Sequence, residues 1–551
     1  MKIIKYILIL GMVSLLATCN KLDKYPLTTL SPANFWNTET DLRMALNSLY
    51  MNDLPDIYMD NQTADTYGAS ANTVSSGTYL APNNDGVWNN AYIQIRTTND
   101  FLSNYTKAQV TDVLKNRYAG EARFFRAYFY FWLTKRFGEV PYVDKTLDLS
   151  SPELYGPRTP RDSIINKMLA DIQFAVNNIP QQSAIKNDIG RITKGAALTL
   201  QARVALYFGT YFKFHTEVST NLKYKDLLTL AQTAAKAVID SKEYSLYKDY
   251  RSLFLQTGND CSEQIMTMRH TSSANTSNGR ARAMIYDLTF DPTKQLADAF
   301  LSSDGLPVDK SPFFNGYLPN GTEFSNRDPR MALTIWRPND PNYQTPAQPF
   351  KCDFTTNSAT GYMFKKYAFD VLPSPANDIL MRYAEDLLIY AEAAYELNNS
   401  ISDADLDISI NALRARFTTG DAPIGGIAPN TTSSPTTVAL PRLTNNFATT
   451  NGLDMRTEIR RERRVELAAE GFRYDDIIRW KTAEIELPVA LLGVKLDKLA
   501  YPAITKPLDA NGFVVVQAAS TRFFDPNKNY LFPIPLQQIG YNPKLTQNPG
   551  W

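Results

Sequence analysis

Between Ala127 and Leu133 the chain reads AYFYFWL, inside a segment, Leu114–Phe137, with helical spacing throughout. A helix ringed by Phe, Tyr and Trp has no face to offer water. It has to be covered on several sides. Gly138 supplies a stop and Pro141 bars resumption. Read alone, the aromatic run could line a cofactor. The helical spacing and the stop signal favour core packing.

Other segments carry the same periodicity. Helices are expected over Thr40–Tyr50, Val87–Tyr105, Asp162–Asn177, Thr193–Phe212, Tyr224–Ser241, Asp378–Leu397, Asp403–Arg416 and Asp454–Lys481. In Thr193–Phe212 the apolar stripe is Ala197, Leu200, Val204, Phe208 and Tyr211. In Asp378–Leu397 the alanines Ala384, Ala391, Ala393 and Ala394 leave room for a close neighbour. Such alternation of small and aromatic positions points to tetratricopeptide-like helix pairs, although no strict 34-residue register can be laid along the chain. The expected fold is therefore mostly α, a scaffold of helix pairs with loop-rich insertions. Those insertions are 53–86, 260–279, 302–357 and 418–450, the last rich in Thr, Pro, Gly and Asn. Loops this long in a compact protein are often functional. Trp88 opens a helix and is assigned to the core.

The first nineteen residues, MKIIKYILILGMVSLLATC, read as an address. Lys2 and Lys5 form a positive start, and Ile7–Ala17 is an apolar stretch of signal-peptide length. A buried first helix is the alternative. Leu16-Ala17-Thr18-Cys19 is similar to a bacterial lipobox, with Thr18 departing from the usual small residue. Residues 1–18 are then a lipoprotein signal peptide and 19–551 the mature domain. Lipid on Cys19 would anchor the chain, since each buried CH₂ contributes about 0.8 kcal/mol. A secreted protein with an incidental cysteine is the other reading. Cys261 and Cys352 are read as two unpaired thiols, although export would permit a disulfide.

Composition narrows the chemistry. Lys plus Arg is 57 and Asp plus Glu is 56, so nothing electrostatic points to nucleic acid. Two histidines and three cysteines leave little for zinc sites, histidine triads or a disulfide framework. Gly190 and Gly195 have P-loop spacing, but Ala196 stands where the phosphate-binding lysine must be. Asp403, Asp405 and Asp407 imitate an EF-hand opening, yet Ile408 replaces the turn glycine and Arg414 the bidentate glutamate. A helix N-terminus explains these acids better. No catalytic, metal or cofactor motif is found, although two carboxylates suffice for a glycosidase and leave no sequence signature. The densest charge cluster, EIRRERR at Glu458–Arg464, reads as helix cross-bracing through Glu458–Arg461 and Arg463–Glu466.

Five segments taken together resemble the SusD/RagB family of Bacteroidetes outer-membrane lipoproteins. They are EARFFRAYFYFWLTKRFGEVP (from Glu121), RITKGAALTLQARVALY (from Arg191), RYAEDLLIYAEAAYEL (from Arg382), IRRERRVELAAEGFRYDDIIRW (from Ile459) and YLFPIPLQQIGYNPKLTQNPGW (from Tyr530). They fall in the family's order and, with Cys19, cover nearly the whole mature chain. The resemblance implies four tetratricopeptide-like helix pairs on one side and loops on the other. It implies a lipid-anchored outer-membrane protein, facing the cell exterior, that binds a nutrient glycan. The implied partner is a TonB-dependent, SusC-like transporter, with no enzymatic activity. A surface glycoside hydrolase and a peptide-binding relative are the alternatives.

The shared segments are scaffold, so the resemblance transfers no binding residue. Physical reasoning has to find them. Sugar rings present apolar C–H faces that flat aromatics cover while keeping a polar tip. Aromatics in polar loops are therefore the candidates: Tyr67 and Tyr79 in 53–86, and Tyr317, Trp336 and Tyr343 within 260–357. Asn72 and Arg337 are candidate hydrogen-bond partners.

Overall fold

A computed structural model describes residues 35–51, 59–271, 276–279, 290–317, 322–341, 347, 350, 358–367, 374–416, 439–499 and 501–551. Cys19, Tyr343 and Cys352 lie outside the described residues. The principal helices are α1 (Glu39–Met51), α2 (Gly86–Asn104), α3 (Asp112–Phe137), α4 (Arg161–Asn178), α5 (Lys194–Phe214), α6 (Tyr224–Ser241), α7 (Lys294–Ala299), α8 (Tyr383–Asn398), α9 (Met455–Glu466) and α10 (Arg473–Arg479). No helix among the described residues is long and apolar enough to cross a membrane.

The all-apolar helix is covered as its sequence demands. α3 packs against α2 on one side and α4 on the other; α4 meets α5, α5 meets α6, and α6 meets α8. Every residue from Phe124 to Lys135 is buried. Thr111 caps the start of α3 by accepting the amide of Leu114, and Gly138 ends it at a φ of 76°. Trp88 is buried in the same core. Gly195, in the first turn of α5, is required for packing: a Cβ there would lie 2.3 Å from the Tyr244 ring.

Two expected helices are broken. The stretch from Asp403 divides at Ser409 into Asp403–Ile408 and Ile410–Arg414. The stretch from Asp454 divides into α9 and α10, with Ala469 (φ 61°) and Gly471 (φ 81°) making the turn between them. The break moves charges away from their helical neighbours. Arg461 does pair with Glu458, at 3.3 Å. The expected Arg463–Glu466 brace does not form; Arg463 grips Asp476 at 2.9 Å. Glu466 accepts from Arg382 (2.8 Å), Arg416 (2.8 Å) and Arg330 (3.1 Å). Burial works against its charge, but the three guanidiniums hold it far below the usual carboxylate range. Arg382 also reaches Glu263 and Glu470, so this buried network ties α8 and α9 to the loops.

Among the described residues, three antiparallel two-stranded ribbons occur, and the stretch 260–279, expected to be loop, supplies one strand. They are β1 (Thr66–Tyr67) with β3 (Asp291–Pro292), β2 (Gln264–Met268) with β4 (Asp378–Arg382), and β5 (Leu491–Lys495) with β6 (Phe513–Gln517). Beneath them is a second apolar core that includes Phe254, Leu296, Phe300, Phe324, Trp336 and Phe364. Cys261 is a free, partly buried thiol, pushed up to about 11 chiefly by burial.

Candidate functional site

The second core decides which candidate aromatics face solvent. Trp336 does not. It is fully buried, stacked on Phe350 at 5.5 Å, with the Lys365 amine 5.3 Å from its ring. Arg337 is equally buried, and its guanidinium holds Asp340 at 2.9 Å, which Lys365 also reaches at 3.0 Å. Both expectations are corrected: in this structure neither side chain is open to a ligand, because the segment carrying them packs a core.

Two candidates from the first loop serve the loop itself. The Asn72 side-chain oxygen accepts the amides of Val74 (2.9 Å) and Ser75 (3.3 Å), a local turn that takes up its acceptor. Tyr79 is half-buried, edge-on to Phe532 at 5.5 Å and to Trp551 at 6.0 Å. It fastens the C-terminal tail to the scaffold and is not a free platform.

Tyr67 and Tyr317 remain partly exposed, and the chain draws them into one neighbourhood. Tyr67 ends β1 opposite Asp291. Next in line, Thr293 bonds the carbonyl of Ala64 at 2.6 Å and caps α7 through the amide of Leu296. Lys294 then opens α7 and donates to the Tyr317 hydroxyl at 3.1 Å. That hydroxyl donates to Asp298 at 2.6 Å, and Asp298 also pairs with Lys294 one helical turn away. Burial, then the Asp298 charge, pushes the phenol well above its ordinary range. The Tyr317 ring meets Phe513 of β6 at 4.8 Å and Phe314 at 5.0 Å, while the Lys294 amine lies 4.4 Å from the Tyr317 ring.

The sequence reading missed several members of this surface. Phe313, next in the chain to Phe314 of that cluster, is 52% exposed. The run Pro312-Phe-Phe-Asn-Gly-Tyr317, aromatic residues around an Asn-Gly turn, was a usable signal. So was the four-residue spacing of Lys294 and Asp298. Behind them Glu323 is buried and pushed up to about 7 by desolvation, then by Asp298. The arrangement offers aromatic faces beside a donor and an acceptor held at fixed spacing. No group of three or more His, Cys, Asp or Glu suited to a metal occurs among the described residues.

Comparison with known proteins decides the family. Residues 257–551 match the model described as SusD family, and residues 21–206 match one described as starch-binding associating with outer membrane. The chain belongs to the SusD family. SusD-like protein P2 of Formosa agariphila is 24% identical over 97% of both chains, and SusD-like protein P38 of the same organism is 24% identical over 90% of this chain and 94% of that one. A crystal structure of a SusD-like carbohydrate binding protein from Bacteroides fragilis is 26% identical, with a TM-score of 0.77 over 93% of this chain and 100% of that one. A second SusD-like structure from Bacteroides fragilis repeats the SusD fold at a TM-score of 0.72, 24% identity and coverage of 96% and 100%. The helical scaffold with loop-rich insertions read from the sequence is the SusD scaffold.

Proposed function

We propose that this SusD-family protein is a cell-surface lipoprotein that captures an oligosaccharide or polysaccharide and delivers it, uncleaved, to a TonB-dependent outer-membrane transporter. Residues 1–18 are its signal peptide, Cys19 carries the lipid, and 19–551 form the mature binding domain. The observation that carries the reading is the likeness, over 93% of the chain, to a protein described as a SusD-like carbohydrate binding protein. The local chemistry supports it. Tyr67, Phe313 and Tyr317 lie on the loop side with polar groups of fixed geometry beside them, the combination that a sugar's apolar face and hydroxyl edge require.

The test is affinity electrophoresis and calorimetry of the mature domain against plant, host and microbial glycans, with reducing ends assayed in parallel. Binding without release of reducing ends is the expected result. Release at catalytic rates would reject the binding-only reading. Binding of peptides with failure of every glycan class would reject the sugar.

A further inference from the structure

We infer that the edge formed by Phe313, Tyr317 and the Lys294–Asp298 pair takes an uncharged sugar with adjacent hydroxyls, in preference to a uronate or a sulfated glycan. The inference rests on the proposed glycan-binding function and names the class of ligand.

The geometry of the pair is the starting point. Lys294 and Asp298 stand one turn apart on α7, joined to each other and both to the Tyr317 hydroxyl, at 3.1 and 2.6 Å. Their side chains are part-buried, 16% and 24% exposed, so neither is sealed from solvent. An ammonium only donates and an ionised carboxylate only accepts. A vicinal diol matches that order, because each hydroxyl can accept from the first and donate to the second. A ligand carboxylate or sulfate has no proton to give, and would face Asp298 with like charge.

The wider charge pattern also gives an anion little hold. The cations around this edge include Lys294, Arg327, Arg464 and Lys495; the acids include Asp298, Glu323, Asp65 and Asp509. Arg464, which donates to the Gln295 carbonyl of α7 at 3.1 Å, is paired with Asp65. Lys294 is neutralised by Asp298. The buried guanidinium of Arg327 is taken up by the carbonyls of Ala297, Phe300, Leu301 and Glu323, two of which close α7. Lys495 faces the Phe513 ring at 5.9 Å, and Asp509 accepts the Phe513 amide at 2.8 Å, so this outer cation and acid flank one residue. Phe313 and Tyr317 supply the flat apolar contact, which carries no charge preference.

Calorimetry of the mature domain with neutral glucans, mannans, xylans and galactans, and with polygalacturonate, alginate and a sulfated galactan, at 50 and 500 mM NaCl, tests this. A neutral glycan should bind with a Kd that changes less than about twofold with salt, because no ion pair forms with the ligand. Asp298→Asn, nearly isosteric, should weaken that binding at least tenfold. Phe313→Ala, at an exposed position, should also weaken it without moving Tm. Binding confined to acidic glycans, with affinity falling tenfold in salt, would overturn the inference and leave the proposed function standing. Neutral binding unchanged in both variants would overturn it as well. No binding by any glycan would remove the function and the inference together.

Discussion

Glu392, in the middle of α8, is 2% exposed and accepts from Arg479 Nη1 at 2.5 Å, Arg479 Nη2 at 2.8 Å and Trp480 Nε1 at 2.6 Å. Burial is the largest single influence and penalises its charge, but Arg479, Arg463 and the Trp480 indole together outweigh it and lower its pKa from 4.5 to about 2. A carboxyl moved that far contributes about 3 kcal/mol of folding free energy at neutral pH. Glu392→Gln removes that contribution. It also sets an amide that can donate against a guanidinium that only donates, leaving Arg479 with Asp476 as its one carboxylate and the Thr210 hydroxyl at 3.0 Å. The expected loss is about 3–5 kcal/mol, the range for breaking a buried pair. The sign with pH follows from the direction of the shift. A depressed carboxyl stabilises fully above its unfolded value near 4.5, and that contribution disappears as pH falls through about 2. Scanning calorimetry of wild type and variant should therefore show the full Tm gap at pH 7 and pH 5, narrowing between pH 4.5 and 2. A gap worth less than about 1 kcal/mol at pH 7, or one of constant size down to pH 2.5, would refute the argument.

Trp336→Ala should cost about 3–5 kcal/mol of stability, the scale for deleting a buried aromatic, whereas a solvent-facing platform would tolerate it; denaturant melts decide. Arg382→Met should lower Tm sharply at pH 7 and less at pH 5, because Glu466 and Glu470 lose a cation that helps keep them ionised and take up protons on acidification. An equal drop at both values would show that the network contributes packing alone. Tyr67→Ala should weaken the binding of a glycan ligand by about 1–3 kcal/mol, on the scale of aromatic–base stacking. Tyr79→Ala should lower Tm and leave the affinity in place; calorimetry with ligand separates the two.

What the sequence made legible is what is decided locally. The end of α3 follows from Gly138, and the structure adds the local caps Thr111 at its start and Asp85 at the start of α2, whose carboxylate accepts the amides of Val87 and Trp88. Each cap lies within three residues of the amides it serves. The break between α9 and α10 is of another kind. The run from Met455 to Trp480 has a continuous helical pattern, and the turn at Ala469 and Gly471 puts Glu466 and Glu470 against Arg330, Lys366 and Arg382, 84 to 136 residues away. No window along the chain contains that preference.

Exposure of an aromatic ring has the same character, which is why a polar loop is a poor guide to it. Tyr79, Trp336 and Tyr317 all sit among Asn, Thr, Gly and Pro, and all bury part of the ring against another aromatic residue. What distinguishes them is the partner. Tyr79 is enclosed by Phe532 and Trp551, from the far end of the chain, and Trp336 by Phe350 within the second core. Tyr317 meets Phe513 and Phe314, and its hydroxyl is held by the Lys294–Asp298 pair of α7. A partly exposed ring whose polar tip is fixed beside a donor and an acceptor has both to offer a ligand. A ring enclosed between partners does not. The discriminating information is therefore the identity of the partners and what holds the polar tip, which is fixed only when the C-terminal ribbon folds back beside the loops.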